Sequence, residues 1–148
     1  MTEGRKAEVV LAFDFGLRRI GVATGNLHTR TASPLTTLTV GRDTPWAALD
    51  DLVREWRPAH LVVGVPEGST GPSAVAARAR AFAAALARRY HLPVDTVDEA
   101  FTSSAAASDL RERRREGAPR RSAAKGAIDR RAACLIAEQW MNEAANER

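Results

Sequence analysis

Three carboxylate side chains lie where the sequence would place few charges by chance. Asp14 is inside the apolar run Glu8–Phe15, and Glu99 closely follows the short run Pro93–Val97. Asp129 shares a helical face with apolar residues that should pack on a sheet, namely Ala132, Ala133, Ile136 and Trp140. An aspartate inside a strand is disfavoured, and burying its charge without a partner is costly. These three acidic residues are therefore candidate catalytic or metal-binding residues.

If Asp14, Glu99 and Asp129 shared one pocket, they could bind a metal ion together. Clustered carboxylates repel each other and stay ionised only with cations between them. Ligation by oxygen alone favours Mg²⁺ or Mn²⁺, and such metals support in-line attack on phosphodiesters. The alternative is three separate acids, with Asp14 turned outward by strand alternation and Glu99 in an ordinary loop.

The elements that would position these acids alternate between strands and helices. The patterns predict strands at 8–15, 20–24, 31–40, 60–65 and 93–97. They predict helices from Pro45, after an Asp43–Thr44 cap, to Pro58, and at 72–90, 103–116 and 123–143. Pro34 suits an edge strand or a bulge, and the continuous run at 60–65 suits a strand covered on both faces. The sum is an α/β protein with a mixed sheet and helices on its faces.

Charge is concentrated in one segment of the 148 residues, a length that suits one domain. Residues 101–131 contain nine basic and four acidic residues, a net charge of +5, whereas the whole chain carries +4. All but two of the 22 basic residues are arginine, which pairs bidentately with phosphate. A nucleic-acid partner is one explanation of this composition, and a general bias of the source towards arginine is the other.

Several classes of function lack support in the sequence. The lone Cys134 reads as a core residue and excludes an intramolecular disulfide or a cysteine-rich zinc site. His28, His60 and His91 have no ligand spacing. Because no apolar run approaches the length of a membrane span and no signal peptide is visible, we expect a cytoplasmic protein without a membrane partner.

Four ordered blocks resemble the YqgF family, whose members are described as pre-16S rRNA nucleases or Holliday-junction-resolvase-like proteins. The first block is the ten-residue sequence Asp14–Ala23. The others are Leu61–Pro66 with Gly71, Asp98–Glu99 with Thr102 and Ser103, and Lys125–Asp129 with Ala132 and Ala133. Together they cover essentially the whole chain.

This resemblance implies a single ribonuclease H-like domain over 1–148, with a mixed five-stranded sheet and helices on both faces. It implies hydrolysis of phosphodiesters with Mg²⁺ or Mn²⁺, with Asp14, Glu99 and Asp129 as catalytic residues and metal ligands. The implied role is processing of the 5′ end of precursor 16S rRNA in ribosome biogenesis. Ala100 departs from the family pattern, which usually has arginine there.

A set of polar and basic residues near these acids is expected to contact the nucleic acid. Arg18 and Arg19 follow the first strand in a turn near Asp14, where they could clamp phosphate or simply face water. Ser103 could equally be a helix N-cap. The full set is Arg18, Arg19, Thr102, Ser103, Arg113, Arg114, Arg115 and Lys125.

Alternative functions remain open beside an RNA nuclease. A resolvase acting on four-way DNA would use the same chemistry, and a non-catalytic nucleic-acid-binding module would be consistent with Ala100. The Asp14–Gly16 segment also resembles the phosphate loop of sugar-kinase-like and actin-like ATPases, but 148 residues cannot supply the two domains of such enzymes. The expected partner is RNA, with structured DNA as the alternative, and the expected state is a monomer or weak dimer.

Overall fold

A computed structural model of the chain describes residues 8–66, 74–98 and 121–146. Its strands are β1 (Val9–Phe15), β2 (Arg19–Asn26), β3 (Thr31–Thr39), β4 (His60–Val65) and β5 (Val94–Asp98). Its helices are α1 (Trp46–Trp56), α2 (Ala74–Tyr90) and α3 (Arg121–Asn146). The predicted loop beyond Pro66 and the predicted helix at 103–116 lie outside the described residues.

The five strands form one mixed sheet in the order β3-β2-β1-β4-β5. The β1–β2 and β2–β3 pairs are antiparallel because short turns join them, whereas β4 and β5 run parallel to β1. β3 is an edge strand, and the register of its pairing with β2 shifts beside Pro34, between Val22 and Ala23. The predictions of a mixed five-stranded sheet and of an edge or bulge position for Pro34 are confirmed.

Side-chain alternation along β1 divides the core between the two faces of the sheet. One cluster packs against α1 and α2 and includes Leu11, Phe13, Leu49, Phe82 and Leu86. The other packs against α3 and includes Val10, Ala12, Val62, Val97 and Ile136. Helices therefore cover both faces, as expected, and β4 contributes buried side chains to both clusters.

The start of α1 differs from the prediction. The helix begins at Trp46, and Pro45 occupies the N-cap position with no side-chain hydrogen bond. The carbonyl of Thr44 accepts the Trp46 N–H at 2.8 Å, so a backbone group replaces the expected side-chain cap. The helix ends before Pro58, where Arg57 adopts a left-handed conformation with φ 45°.

Cys134 is a core residue, as the sequence predicts. It is buried together with Ala23 and Ala133 where α3 crosses β2. Burial raises the pKa of the thiol to about 11, since the thiolate would lose its hydration there. The side chain is therefore neutral at physiological pH and is a poor nucleophile.

Candidate active site

A row of small and polar residues crosses the sheet around Asp14. Asp14 of β1 pairs with Gly21 of β2 and with Gly64 of β4, and Gly21 pairs with Thr37 of β3. Directly paired residues project from the same face of a sheet. Because Val10 and Ala12 face α3 and alternate with their neighbours, Asp14 faces α3 as well. The glycines on both sides of Asp14 leave the space beside its carboxylate free of neighbouring strand side chains.

Gly21 allows α3 to approach the sheet at Asp129. A Cβ atom built on Gly21 would overlap the carbonyl carbon and oxygen of Asp129 and lie 2.7 Å from its Cβ. The backbone of α3 therefore occupies the space that a side chain at position 21 would need. Since Gly21 is directly opposite Asp14, this contact brings Asp129 over the same part of the sheet as Asp14.

An ion pair holds the Asp129 side chain against β2. Arg19 Nε donates to Asp129 Oδ2 at 2.8 Å across 110 residues of sequence. The Arg19 side chain is 32% exposed and that of Asp129 is 17% exposed, so the pair is only partly solvated. Arg19 is the first residue of β2 and not part of the turn, and it lies two residues before Gly21 on the same face. The guanidinium supplies positive charge beside the Asp129 carboxylate.

A second contact fixes the adjoining turn of α3 to the edge of the sheet. Thr37 Oγ1 donates to the Gly126 carbonyl at 3.2 Å and accepts from Arg130 Nη1 at 3.0 Å. Thr37 belongs to the same row as Asp14 and Gly21. Arg130 therefore contacts β3 through Thr37, and this contact helps to set the rotation of α3.

The structure describes only part of the predicted site. It brings Asp14 and Asp129 to the same face of the sheet and adds Arg19 to them. Arg18 is exposed in the β1–β2 turn, and its carbonyl accepts the Val40 N–H at 2.8 Å. Lys125 lies in α3, but its side chain is outside the described part, and so are the following residues altogether: Glu99, Thr102, Ser103, Arg113, Arg114 and Arg115.

Some of the described side chains offer the oxygen atoms that a divalent metal ion prefers as ligands. Asp14 and Asp129 offer hard oxygen atoms, and the cationic Arg19 already binds one of those oxygens. The oxygen atoms suit Mg²⁺ or Mn²⁺, whereas the Arg19 guanidinium would compete with a metal ion for Asp129 Oδ2. Among the residues in 8–66, 74–98 and 121–146, no group of three or more His, Cys, Asp or Glu is placed to hold a metal ion. A third carboxylate must come from elsewhere if the site binds metal as predicted.

Sequence reasoning did not assign Gly21, Gly64 or Thr37 to the site. The available signal was a glycine in each of the strands predicted at 20–24 and 60–65, since glycine weakens a strand and often marks a close approach of another backbone. Which residue would approach Gly21 depended on where α3 crosses the sheet. Thr37 carried no signal, because threonine is common in edge strands.

We expect the Arg19→Gln variant to lose about 1 kcal/mol of unfolding free energy at pH 7, measured by urea denaturation in EDTA, because Asp129 loses its partly buried partner. The Arg54→Gln variant is a matched control. Arg54 pairs with Asp51 at 3.0 Å, but both side chains are more than 70% exposed, so we expect a change below about 0.5 kcal/mol. Equal losses in the two variants would contradict a stabilising role for the Arg19–Asp129 pair.

The fold is ribonuclease H-like, as in the solved RuvC structures. Of the solved structures, Thermus thermophilus RuvC in complex with a Holliday junction substrate has a TM-score of 0.54, with 17% identity over 93% of this chain and 95% of that one. The sequence profile of the RuvX family, described as Holliday junction resolvase, matches residues 8–143. The chain belongs to the RuvX family.

Curated relatives of this family are close in sequence. A protein of Hahella chejuensis named "Putative pre-16S rRNA nuclease" is 42% identical over 139 residues, which covers 93% of this chain and 85% of the relative. A protein of the same name from Dechloromonas aromatica is 44% identical and covers 88% of each chain. RuvX and YqgF are names of the same family, so the sequence-based resemblance is confirmed.

Proposed function

We propose that this chain is a divalent-metal-dependent nuclease that processes the 5′ end of precursor 16S rRNA. The main support is the name shared by relatives that are 42–44% identical over nearly the whole chain. The placement of Asp14 and Asp129 on one face of the sheet, around Gly21, adds chemical support.

We assign Asp14, Asp129 and Glu99 as the three carboxylates that hold the metal. Glu99 directly follows β5 and comes two residues after Val97, whose side chain packs on the α3 side of the sheet. The carboxyl ends of the parallel strands β1, β4 and β5 share one edge of the sheet, so residues after β5 are suited to join Asp14. When bound, the metal would supply Lewis-acid stabilisation of the charge that develops on the attacked phosphate.

The chain's own residues have distinct roles in this proposal. Arg19 holds the Asp129 carboxylate in position and offsets the repulsion between carboxylates. Arg18 faces solvent in the turn after β1, where a guanidinium can bind the phosphate backbone. The basic segment 101–131 follows Glu99 in sequence and would bind further phosphates, which makes affinity sensitive to salt.

A nuclease assay with precursor rRNA tests this function. The purified chain, supplied with Mg²⁺ or Mn²⁺, should cleave a 16S rRNA fragment that carries its 5′ extension and should leave the mature sequence intact. Addition of EDTA should stop the reaction. Cleavage that continues in EDTA would contradict the proposed metal dependence. Absence of cleavage with either metal would contradict the proposed nuclease activity and favour a nucleic-acid-binding module.

Resolution of four-way DNA is the second candidate function. It is favoured by the family description and by the RuvC-like fold. The same assay should therefore include a four-way DNA junction at equal concentration. Faster, symmetrical cutting of the junction than of the RNA would replace the proposed substrate with DNA, and the carboxylate assignment would stand.

A further inference from the structure

A pocket lies on the opposite face of β1 from Asp14. Its volume is about 330 Å³, at the lower end of the roughly 300–1,000 Å³ typical of ligand sites. It opens between the β1–β2 turn, the segment joining β3 to α1, and α2. Phe15 lines it and is the next residue after Asp14, so the pocket begins where the candidate catalytic strand ends.

The floor of this pocket is aromatic. Phe15 and Trp46 both pack on Phe82 of α2, with ring centroids 5.1 Å and 6.2 Å away. Asp14 lies on the opposite face of the sheet, at the same end of β1. Strand alternation therefore gives one end of β1 an acidic side and an aromatic side.

The rim combines exposed apolar surface with positive charge. Leu17 is 45% exposed and is the one large hydrophobic residue that is exposed among the described residues. Arg42 and Arg78 flank the opening, and Asp43 is the acid among the lining residues, so the described rim carries a net positive charge. A cavity of mixed polarity, with aromatic side chains in its lining and cations at its mouth, matches a nucleobase attached to a phosphate backbone.

We propose that this pocket binds an unpaired base of single-stranded RNA next to the phosphate that is cleaved at Asp14. The inference rests on the proposed function for the identity of the polymer. A strand that crosses the carboxyl end of β1 presents a phosphate to the Asp14 face and turns the neighbouring base towards Phe15 and Leu17. Arg78 binds the phosphate that follows this base. The pocket thus selects unpaired over base-paired RNA at the cleavage position.

An abasic scan of a short RNA tests the pocket directly. A fluorescent RNA of about ten nucleotides is titrated with the full chain in Ca²⁺, its integrity is checked on a gel, and each base is removed in turn. We expect removal at one or two adjacent positions to weaken binding about five- to thirtyfold, with smaller effects elsewhere.

Two variants and a control connect that effect to the pocket. Leu17→Ser should reduce the penalty for the missing base to below about threefold, because the base loses the exposed apolar side chain at the rim that would cover it. Arg78→Ala should weaken binding of the intact RNA, whereas Arg88→Ala should leave it unchanged, since Arg88 is exposed on the same helix and does not line the pocket. A scan without a sensitive position, or the same scan profile for wild type and Leu17→Ser, would overturn the proposal.

The base pocket and the nuclease function can fail separately. If the chain cleaves RNA and the scan has no sensitive position, the base pocket is wrong and the nuclease stands. If one position is sensitive in binding but no metal supports cleavage, the nuclease is wrong and the pocket stands as part of a binding surface.

Discussion

Replacing Asp14 by asparagine should lower RNA cleavage at least about a thousandfold in kcat, equivalent to about 4 kcal/mol of transition-state stabilisation. The amide has nearly the size of the carboxylate, but it lacks the charge that a divalent cation requires. Binding of Mn²⁺, measured by calorimetry, should weaken in parallel. The unfolding temperature in EDTA should be unchanged or slightly higher, because the substitution removes one of the carboxylates that repel each other.

Asp95→Asn is a matched control for this variant. Asp95 also lies on the α3 side of the sheet, but its carboxylate accepts the Trp140 indole N–H at 3.0 Å, well before the carboxyl end of β5. We expect cleavage by this variant to stay within about twofold of wild type. If the Asp14→Asn variant cleaves as fast as this control, the assignment of Asp14 as a catalytic carboxylate is wrong.

Replacing Gly21 by alanine should destabilise the protein by about 3 kcal/mol and should also abolish cleavage. The new methyl group would overlap the main chain of Asp129, which cannot rotate away as a side chain can. Overpacking of this kind usually costs about 1–3 kcal/mol, and a backbone obstacle places this site at the upper end. The displaced α3 would carry Asp129 away from Asp14. Urea denaturation and the cleavage assay measure the two effects.

Gly25→Ala separates this close approach from a general intolerance of alanine in β2. Gly25 lies four residues after Gly21 and also faces α3. A Cβ there would lie 3.2 Å from Met141 Cε and 3.3 Å from Met141 Sδ. The end of a methionine side chain can move, and alanine lowers the entropy of the unfolded chain. We expect a change below about 1 kcal/mol and normal cleavage. Equal losses of stability and cleavage in the two variants would mean that the close contact between Gly21 and Asp129 does not cause the effect.

The sequence was sufficient to predict most of the architecture, because hydrophobic periodicity is a local property. The run at 60–65 was predicted as a strand covered on both faces, and β4 is buried between β1 and β5 with helices on both sides. Limits of elements were less well predicted. β2 extends from Arg19 to Asn26, beyond the predicted 20–24, because pairing with β1 and β3 adds ladder hydrogen bonds at both ends.

The candidate site was only partly predictable. Asp14 and Asp129 were proposed as candidates because a charged residue within an apolar pattern can be recognised from the sequence alone. The partner of Asp129 was not, because an ion pair with Arg19 joins residues 110 positions apart and depends on how α3 crosses β2. The pocket beside Phe15 was missed for the same reason, since Trp46 and Phe82 come from two helices and only the tertiary structure brings them together.

The sequence by itself determined the residue types of this protein: its carboxylates, its arginines, its small residues and the alternation that assigns each side chain to a face. Only the tertiary structure decided which of these residues meet. Gly21, Ala23 and Gly25 are small enough to let α3 lie close to β2, and that packing places Asp129 over Gly21, the residue paired with Asp14. The reason is physical, because periodicity acts over a few residues, whereas the distance between two elements depends on the side chains that both present at their crossing.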